Sequence, residues 1–262
     1  MVGRRKLVGS SVKMYLTTAE VRVWLAQLQQ VLEPLTEVDV FVLPPFVSLP
    51  VASELLRDSR IAFGSQNMHW ADRGPHTGEV SPLMLLELGA TFVELGHAER
   101  RRDNGETDET VNRKVLAALR HGLRPIVCVG EDAPTAAADN VVREQVDAAL
   151  AGVSAPELAH VVIAYEPIWA IGKAEAAPPA YVFERHQRIR LHLKARYGPE
   201  AGRSGTIIYG GSVMPQNAGL LLAHEDVQGL FVGRSALAAD SFAEIVRSAH
   251  EAAGGDARSV SL

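Results

Sequence analysis

Glu166 closes the apolar run Val161-Val162-Ile163-Ala164-Tyr165, and a carboxylate that starts against low-dielectric surroundings tends toward a raised pKa. Such a group suits a general base; the competing reading is a carboxylate paired with a nearby Lys or Arg for structural reasons. His97 lies where the run Phe92 to Leu95 hands over to a helix, and a helix amino end disfavours the imidazolium. A neutral imidazole there either donates a hydrogen bond to a carbonyl or caps a turn. Lys13, just past the run Lys6 to Gly9, is a solvated surface charge or an ammonium that holds a phosphate or a developing oxyanion. Three glycine-bearing turns, Ala170-Ile171-Gly172, Gly210-Gly211-Ser212 and Gly233-Arg234-Ser235, serve as tight turns or together present backbone N–H groups to an anion.

These residues need a frame that brings them together, and the rest of the chain supplies one. Apolar or β-branched runs recur at Lys6-Gly9, Asp39-Leu43, Ile61-Ser65, Phe92-Leu95, Pro125-Val129, Val161-Tyr165, Thr206-Tyr209 and Gly229-Val232. Helix-patterned segments lie between them, at about 17–31, 47–58, 80–89, 108–121, 138–150, 178–197, 215–223 and 240–252. Strands apolar on both faces and joined by helices belong to a parallel sheet covered on each side. Eight such units without a linker predict an α/β fold, a single-domain (β/α)8 barrel over 1–262, with a frayed tail from about 254. A doubly wound open sheet shares the alternation, but no G-x-G-x-x-G turn follows the first strand. In a barrel the carboxyl ends of the strands share one mouth, which is where Lys13, His97, Glu166 and the glycine turns all fall.

The 26 Lys and Arg against 31 Asp and Glu give a formal charge of -5, so no global field draws the chain to nucleic acid or an anionic membrane, and phosphate recognition must be local. Arg185, Arg188, Arg190, Lys194 and Arg196 spread around the 178–197 helix and are expected on its solvated outer face. The single cysteine, Cys128, makes no internal disulfide, and the nine histidines form no tight cluster with carboxylates, so no metal is expected. The basic start Met1 to Lys6 meets Lys13 too soon for a signal peptide, and Val38 to Ala52 is too short and too often interrupted to cross a bilayer. A cytoplasmic protein with no membrane and no nucleic-acid partner is the expectation.

Several longer runs carry a resemblance that covers nearly the whole chain. Lys13-Met14, Pro44-Pro45-Phe46, Gln66-Asn67, Thr77-Gly78-Glu79, Gly96-His97-Ala98-Glu99-Arg100-Arg101, Ala164 to Gly172 and Tyr209-Gly210-Gly211-Ser212-Val213 resemble, in order and spacing, the triosephosphate isomerase family. The resemblance implies an aldose-ketose isomerase that interconverts dihydroxyacetone phosphate and glyceraldehyde 3-phosphate through an enediolate. It makes Glu166 the base, His97 the group that polarises the carbonyl, Lys13 the cation, and Glu99 a support for Lys13. It also implies a lid over residues 167–177 that excludes water, and a small phosphorylated substrate held at Gly172, Ser212 and Gly233. Thr77 would reach into the second subunit of a homodimer, and no cofactor is implied.

Three departures from the family pattern surround the substrate position. Ser11-Val12 stands where the family has Asn-Trp, Lys173-Ala174-Glu175-Ala176-Ala177 replaces the usual lid sequence, and Arg234 replaces the second glycine of the strand-eight turn. Ser11 removes an amide that helps hold Lys13 and the substrate, and Arg234 points away or adds a cation to the phosphate site. The pattern also resembles paralogues that isomerise four-carbon erythrulose phosphates in sugar-alcohol catabolism. A phosphate-binding barrel without turnover is the remaining alternative, and the retained Lys13, His97 and Glu166 argue against it.

Overall fold

The computed structural model describes residues 5–172 and 176–254. Its eight strands are β1 (Lys6–Ser11), β2 (Val38–Leu43), β3 (Ile61–Ser65), β4 (Phe92–Leu95), β5 (Arg124–Val129), β6 (Val162–Tyr165), β7 (Thr206–Tyr209) and β8 (Gly229–Val232). They pair in parallel in chain order, and β1 also pairs with β8, which closes the expected (β/α)8 barrel. The surrounding helices are α1 (Thr18–Leu32), α2 (Leu49–Leu56), α3 (Pro82–Glu87), α4 (Ala98–Asn104), α5 (Asp108–Arg120), α6 (Ala138–Ala149), α7 (Pro179–Tyr197), α8 (Ala201–Ser204), α9 (Pro215–Leu222) and α10 (Ala239–Ala252).

Local chemistry explains where the elements depart from expectation. The segment expected over 80–89 shortens to α3, because the Ser81 hydroxyl accepts from Met84 N and Gly89 turns left-handed at φ +85, the conformation that stops a helix. The short α4 and α8 carry too few apolar positions for a periodic signal. At α1, Thr17 and Glu20 form a reciprocal cap, with Thr17 N donating to Glu20 Oε2 at 2.7 Å, which satisfies donors that the first turn leaves open.

The basic α7 is not the uniformly solvated surface expected. Arg190 is only 3% exposed, and its guanidinium donates to Gly202 O, Gly205 O and Gln228 Oε1 at 2.6, 2.9 and 2.7 Å. Arg185 is also buried and pairs with Asp139. Both satisfy backbone or carboxylate groups that the helix covers, which a period count of charges does not reveal. Lys194 and Arg196 remain more open to solvent.

Two apolar layers hold the barrel. Outward residues such as Val8, Val40, Val93, Val127 and Ile163 pack against the helices, while Leu7, Phe41, Phe92, Ile126, Val162, Ile208 and Phe231 fill the interior. Phe41 stacks on Phe92 at 4.6 Å between ring centroids. A Cβ at Gly9 would stand 1.9 Å from Phe41 Cζ, so the glycine makes room for a ring that spans the barrel. Because side chains alternate along a strand, stepping by two from this apolar plug toward the carboxyl ends leads from Leu7 to Ser11, from Phe92 to Glu94, from Ile126 to Cys128, from Val162 to Glu166 and from Ile208 to Gly210.

Candidate active site

These strand ends surround a cleft of about 370 Å³ lined by Ser11, Lys13, Glu94, His97, Glu99, Glu166, Gly172, Ser212, Gly233 and Arg234 among others. The sequence-designated residues therefore share one cavity, with the exception of Thr77. Thr77 lies exposed in the long connection between β3 and α3.

Glu166 follows β6, and its backbone N–H donates to Val129 O at 2.8 Å, which continues the sheet by one bond. Its carboxyl is 3% exposed. Among the described residues no Lys or Arg forms an ion pair with it; Lys13 Nζ turns instead to Glu99 Oε1 at 2.6 Å. Burial, then the charge of Glu94, pushes the Glu166 carboxyl well above the ordinary carboxylate value. Gly210 opens the space it occupies, since a Cβ there would stand 2.6 Å from Glu166 Oε1.

His97 both caps and faces the cavity. Its Nδ1 accepts from Glu99 N at 3.1 Å as the N-cap of α4, which leaves the proton of a neutral ring on Nε2. That Nε2 stands 3.3 Å from Glu166 Oε2, although Oε2 receives no aligned hydrogen bond. Burial, with the nearby Lys13 charge, lowers the imidazole to about 4. Lys13 is the one described non-glycine residue at positive φ, +50, a conformation that needs surrounding structure to hold it. Gln66 Nε2 provides part of that hold by donating to Lys13 O at 3.0 Å and to Leu43 O at 2.9 Å. Burial alone would lower the Lys13 ammonium, but the bond to Glu99 and the charges of Glu99, Glu166 and Glu94 hold it above the usual lysine value.

The opposite wall carries the glycine turns. Gly172 adopts φ +68, Ser212 Oγ donates to Ala170 O at 2.9 Å, and Arg234 begins the short 3-10 turn Arg234–Leu237 after Gly233. A Cβ at Gly172 would lie 3.5 Å from an Arg234 guanidinium nitrogen, so the Arg234 side chain reaches across the turns instead of pointing away. Of the expected lid, residues 173–175 lie outside the described residues. The chain entering this segment is held by Glu131, whose Oε1 accepts from Tyr165 OH, Trp169 Nε1 and Tyr181 OH at 3.0, 2.9 and 2.8 Å.

The Ser11 hydroxyl, for which the sequence offered no partner, donates to Glu94 Oε2 at 2.7 Å. Two acids at this mouth, Glu94 and Glu131, were not anticipated from the sequence. Glu94 had a signal, an acid two residues from Phe92 on the same strand face. Glu131 stands two residues past β5, in a run without a reactive-looking motif.

The family profile described as "Triosephosphate isomerase" matches residues 6–249. A "Triosephosphate isomerase" of Herpetosiphon aurantiacus is 45% identical over 247 residues, covering 93% of this chain and 99% of the relative. One of Chloroflexus aurantiacus is 44% identical over 246 residues, with 93% and 98% covered, and one of Solibacter usitatus 39% identical over 246 residues, with 93% and 99% covered. A closed eightfold barrel, a buried acid facing a neutral histidine at its mouth, and similarity that extends through nearly every unit agree with one another, and the chain belongs to the triosephosphate isomerase family.

Proposed function

We propose that this chain, working as one domain, interconverts dihydroxyacetone phosphate and glyceraldehyde 3-phosphate. The observation that carries the reading is the buried Glu166 carboxyl, free of any described Lys or Arg partner, 3.3 Å from the Nε2 of a histidine held neutral. Glu166 removes a proton from the carbon beside the carbonyl and returns it to the neighbouring carbon, so the reaction balances without an oxidant or reductant. His97 Nε2–H donates to the oxygen on which charge develops, and the Lys13 ammonium, oriented by Glu99, stabilises the enediolate. Gly172, Ser212 and Gly233 supply backbone groups for the phosphate, and Arg234 adds a cation to them. Closure of the 167–177 segment would keep water from the enediolate. None of these steps requires a cofactor.

Other features support the remaining parts of the reading. Met14 is 95% exposed, and Tyr15, Phe46 and Val47 are exposed near it in the chain's first two βα connections. Exposed apolar side chains of this kind, together with an exposed Thr77, favour burial against a second copy, as in a homodimer. No described helix is long and apolar enough to cross a membrane, which agrees with cytoplasmic work on a small phosphorylated substrate. The shared name of the relatives supports the three-carbon reaction over the four-carbon alternative. The test is kcat/KM for dihydroxyacetone phosphate and for an erythrulose phosphate under one assay condition. Efficient turnover of the former is expected, and a strong preference for the latter would overturn the substrate assignment.

A further inference from the structure

Glu94 is a buried acid that the isomerisation described above leaves unused. It sits on β4, 3% exposed, one step above Phe92 in the apolar interior, and its carboxyl lines the same cleft as Glu166. Oε2 accepts from the Ser11 hydroxyl at 2.7 Å, and Oε1 lies 3.9 Å from Cys128 Sγ. An acid placed in an apolar barrel costs stability unless it is partnered, and this one is partnered by a short hydroxyl at the position where the family carries an amide. The groups acting on it are Ser11 at the end of β1, Lys13 just after it, Glu99 in α4 and Cys128 on β5. Glu166 after β6 feels its charge in turn. Lys13, the nearby cation, is engaged with Glu99.

We propose that Glu94 is a positioning residue for this isomerisation, its carboxyl fixing the Ser11 hydroxyl at the pocket floor and setting a second acid in the cleft against which the Glu166 base works. The inference rests on the isomerase reading and deepens it. Burial raises the Glu94 carboxyl to about 7, with the Ser11 bond and the Lys13 charge acting to lower it. A charge on Glu94 then adds to burial in raising the Glu166 carboxyl. An ionised Glu94 makes Glu166 a stronger base because like charges disfavour its ionised form. The Cys128 thiol, pushed up by burial and then by the charges of Glu166 and Glu94, stays protonated beside them. Ser11 and Glu94 thus form one unit: the shorter side chain on β1 and the acid on β4 complete each other.

The test is the pH profile of kcat/KM for dihydroxyacetone phosphate in the intact protein, Glu94→Gln and Ser11→Ala. The amide of Glu94→Gln still accepts from Ser11 but carries no charge, so the acid limb of the profile should move down by about one pH unit. Ser11→Ala removes the bond that favours ionised Glu94; the carboxyl stays neutral to higher pH and the limb should move the same way by a smaller amount. If Glu94→Gln does not fold, Ser11→Ala carries the test alone. A limb that stays in place in a folded variant, even with a lowered Tm, overturns the inference and leaves a purely structural acid. Absence of turnover by the unaltered protein would instead overturn the isomerase reading itself, and this inference with it.

Discussion

Gly210→Ala is a sharp perturbation of the proposed base because it adds one methyl group and nothing else. Gly210 is not at positive φ, so alanine is compatible with its backbone, and its N–H bond to Tyr165 O at 2.8 Å survives. The new Cβ would stand 2.6 Å from both Glu166 Cγ and Oε1. Ordinary contact begins near 3.4 Å, so the carboxyl must retreat by about 0.8 Å. A displacement of about 1 Å at a reacting group costs on the order of 100-fold, equivalent to about 2.7 kcal/mol in the barrier. The loss should appear in kcat, measured by coupled assay with dihydroxyacetone phosphate, while the inhibition constant of inorganic phosphate stays within about twofold, since the turns near Gly172 and Gly233 are untouched. Gly219→Ala is the control: it lies exposed in α9 with nothing within 4 Å of its added Cβ and should leave kcat unchanged while raising stability by about 0.5–1 kcal/mol. A Gly210→Ala protein that retains kcat within about threefold would refute the argument that this glycine sets the position of the base.

Three further outcomes are expected. Glu166→Asp draws the carboxylate back by one methylene and should lower kcat by at least about 100-fold with little change in phosphate inhibition; unaltered turnover would mean that Glu166 is not the base. Arg234→Gly removes the guanidinium lying near Gly172 and should raise KM several-fold with kcat preserved, more at low salt than at high salt; an unchanged KM would place Arg234 outside the phosphate site. His186 is fully buried and lowered to about 3, chiefly by burial, from an ordinary 6.5. Its neutral ring has no effect on stability above pH 6.5, but as pH falls from 6.5 toward 3 the unfolded chain binds a proton that the native protein refuses. That linkage should cost about 3 kcal/mol by pH 4.5. Urea unfolding at pH 7.5 and 4.5 should show a smaller acid loss in His186→Gln than in the native protein, and equal losses would sink the assignment.

The repeating run of strand and helix was legible residue by residue because burial on both faces of a parallel sheet leaves few polar positions in a strand. Even the bounds of β3, β4, β7 and β8 could be read in this way, and β1 merely extends two residues further, to Ser11. The short α4 was not visible as an element, yet its start was, since His97 reads as a strand-to-helix handover. The interior side of α7 was not legible: Arg190 looks like any surface cation until the carbonyls of Gly202 and Gly205 close around it.

Alternation and motif order are local properties of a chain, so the barrel, and the gathering of Lys13, His97 and Glu166 at one mouth, could be read before the strands closed. Which polar groups meet was settled by ring closure. Ser11 turns to Glu94, Arg190 is enclosed by the carbonyls of Gly202 and Gly205, and Arg234 reaches toward Gly172. Partners of this kind are not neighbours in the chain, and their energies depend on distance and burial, quantities that exist only after the strands have closed into a ring.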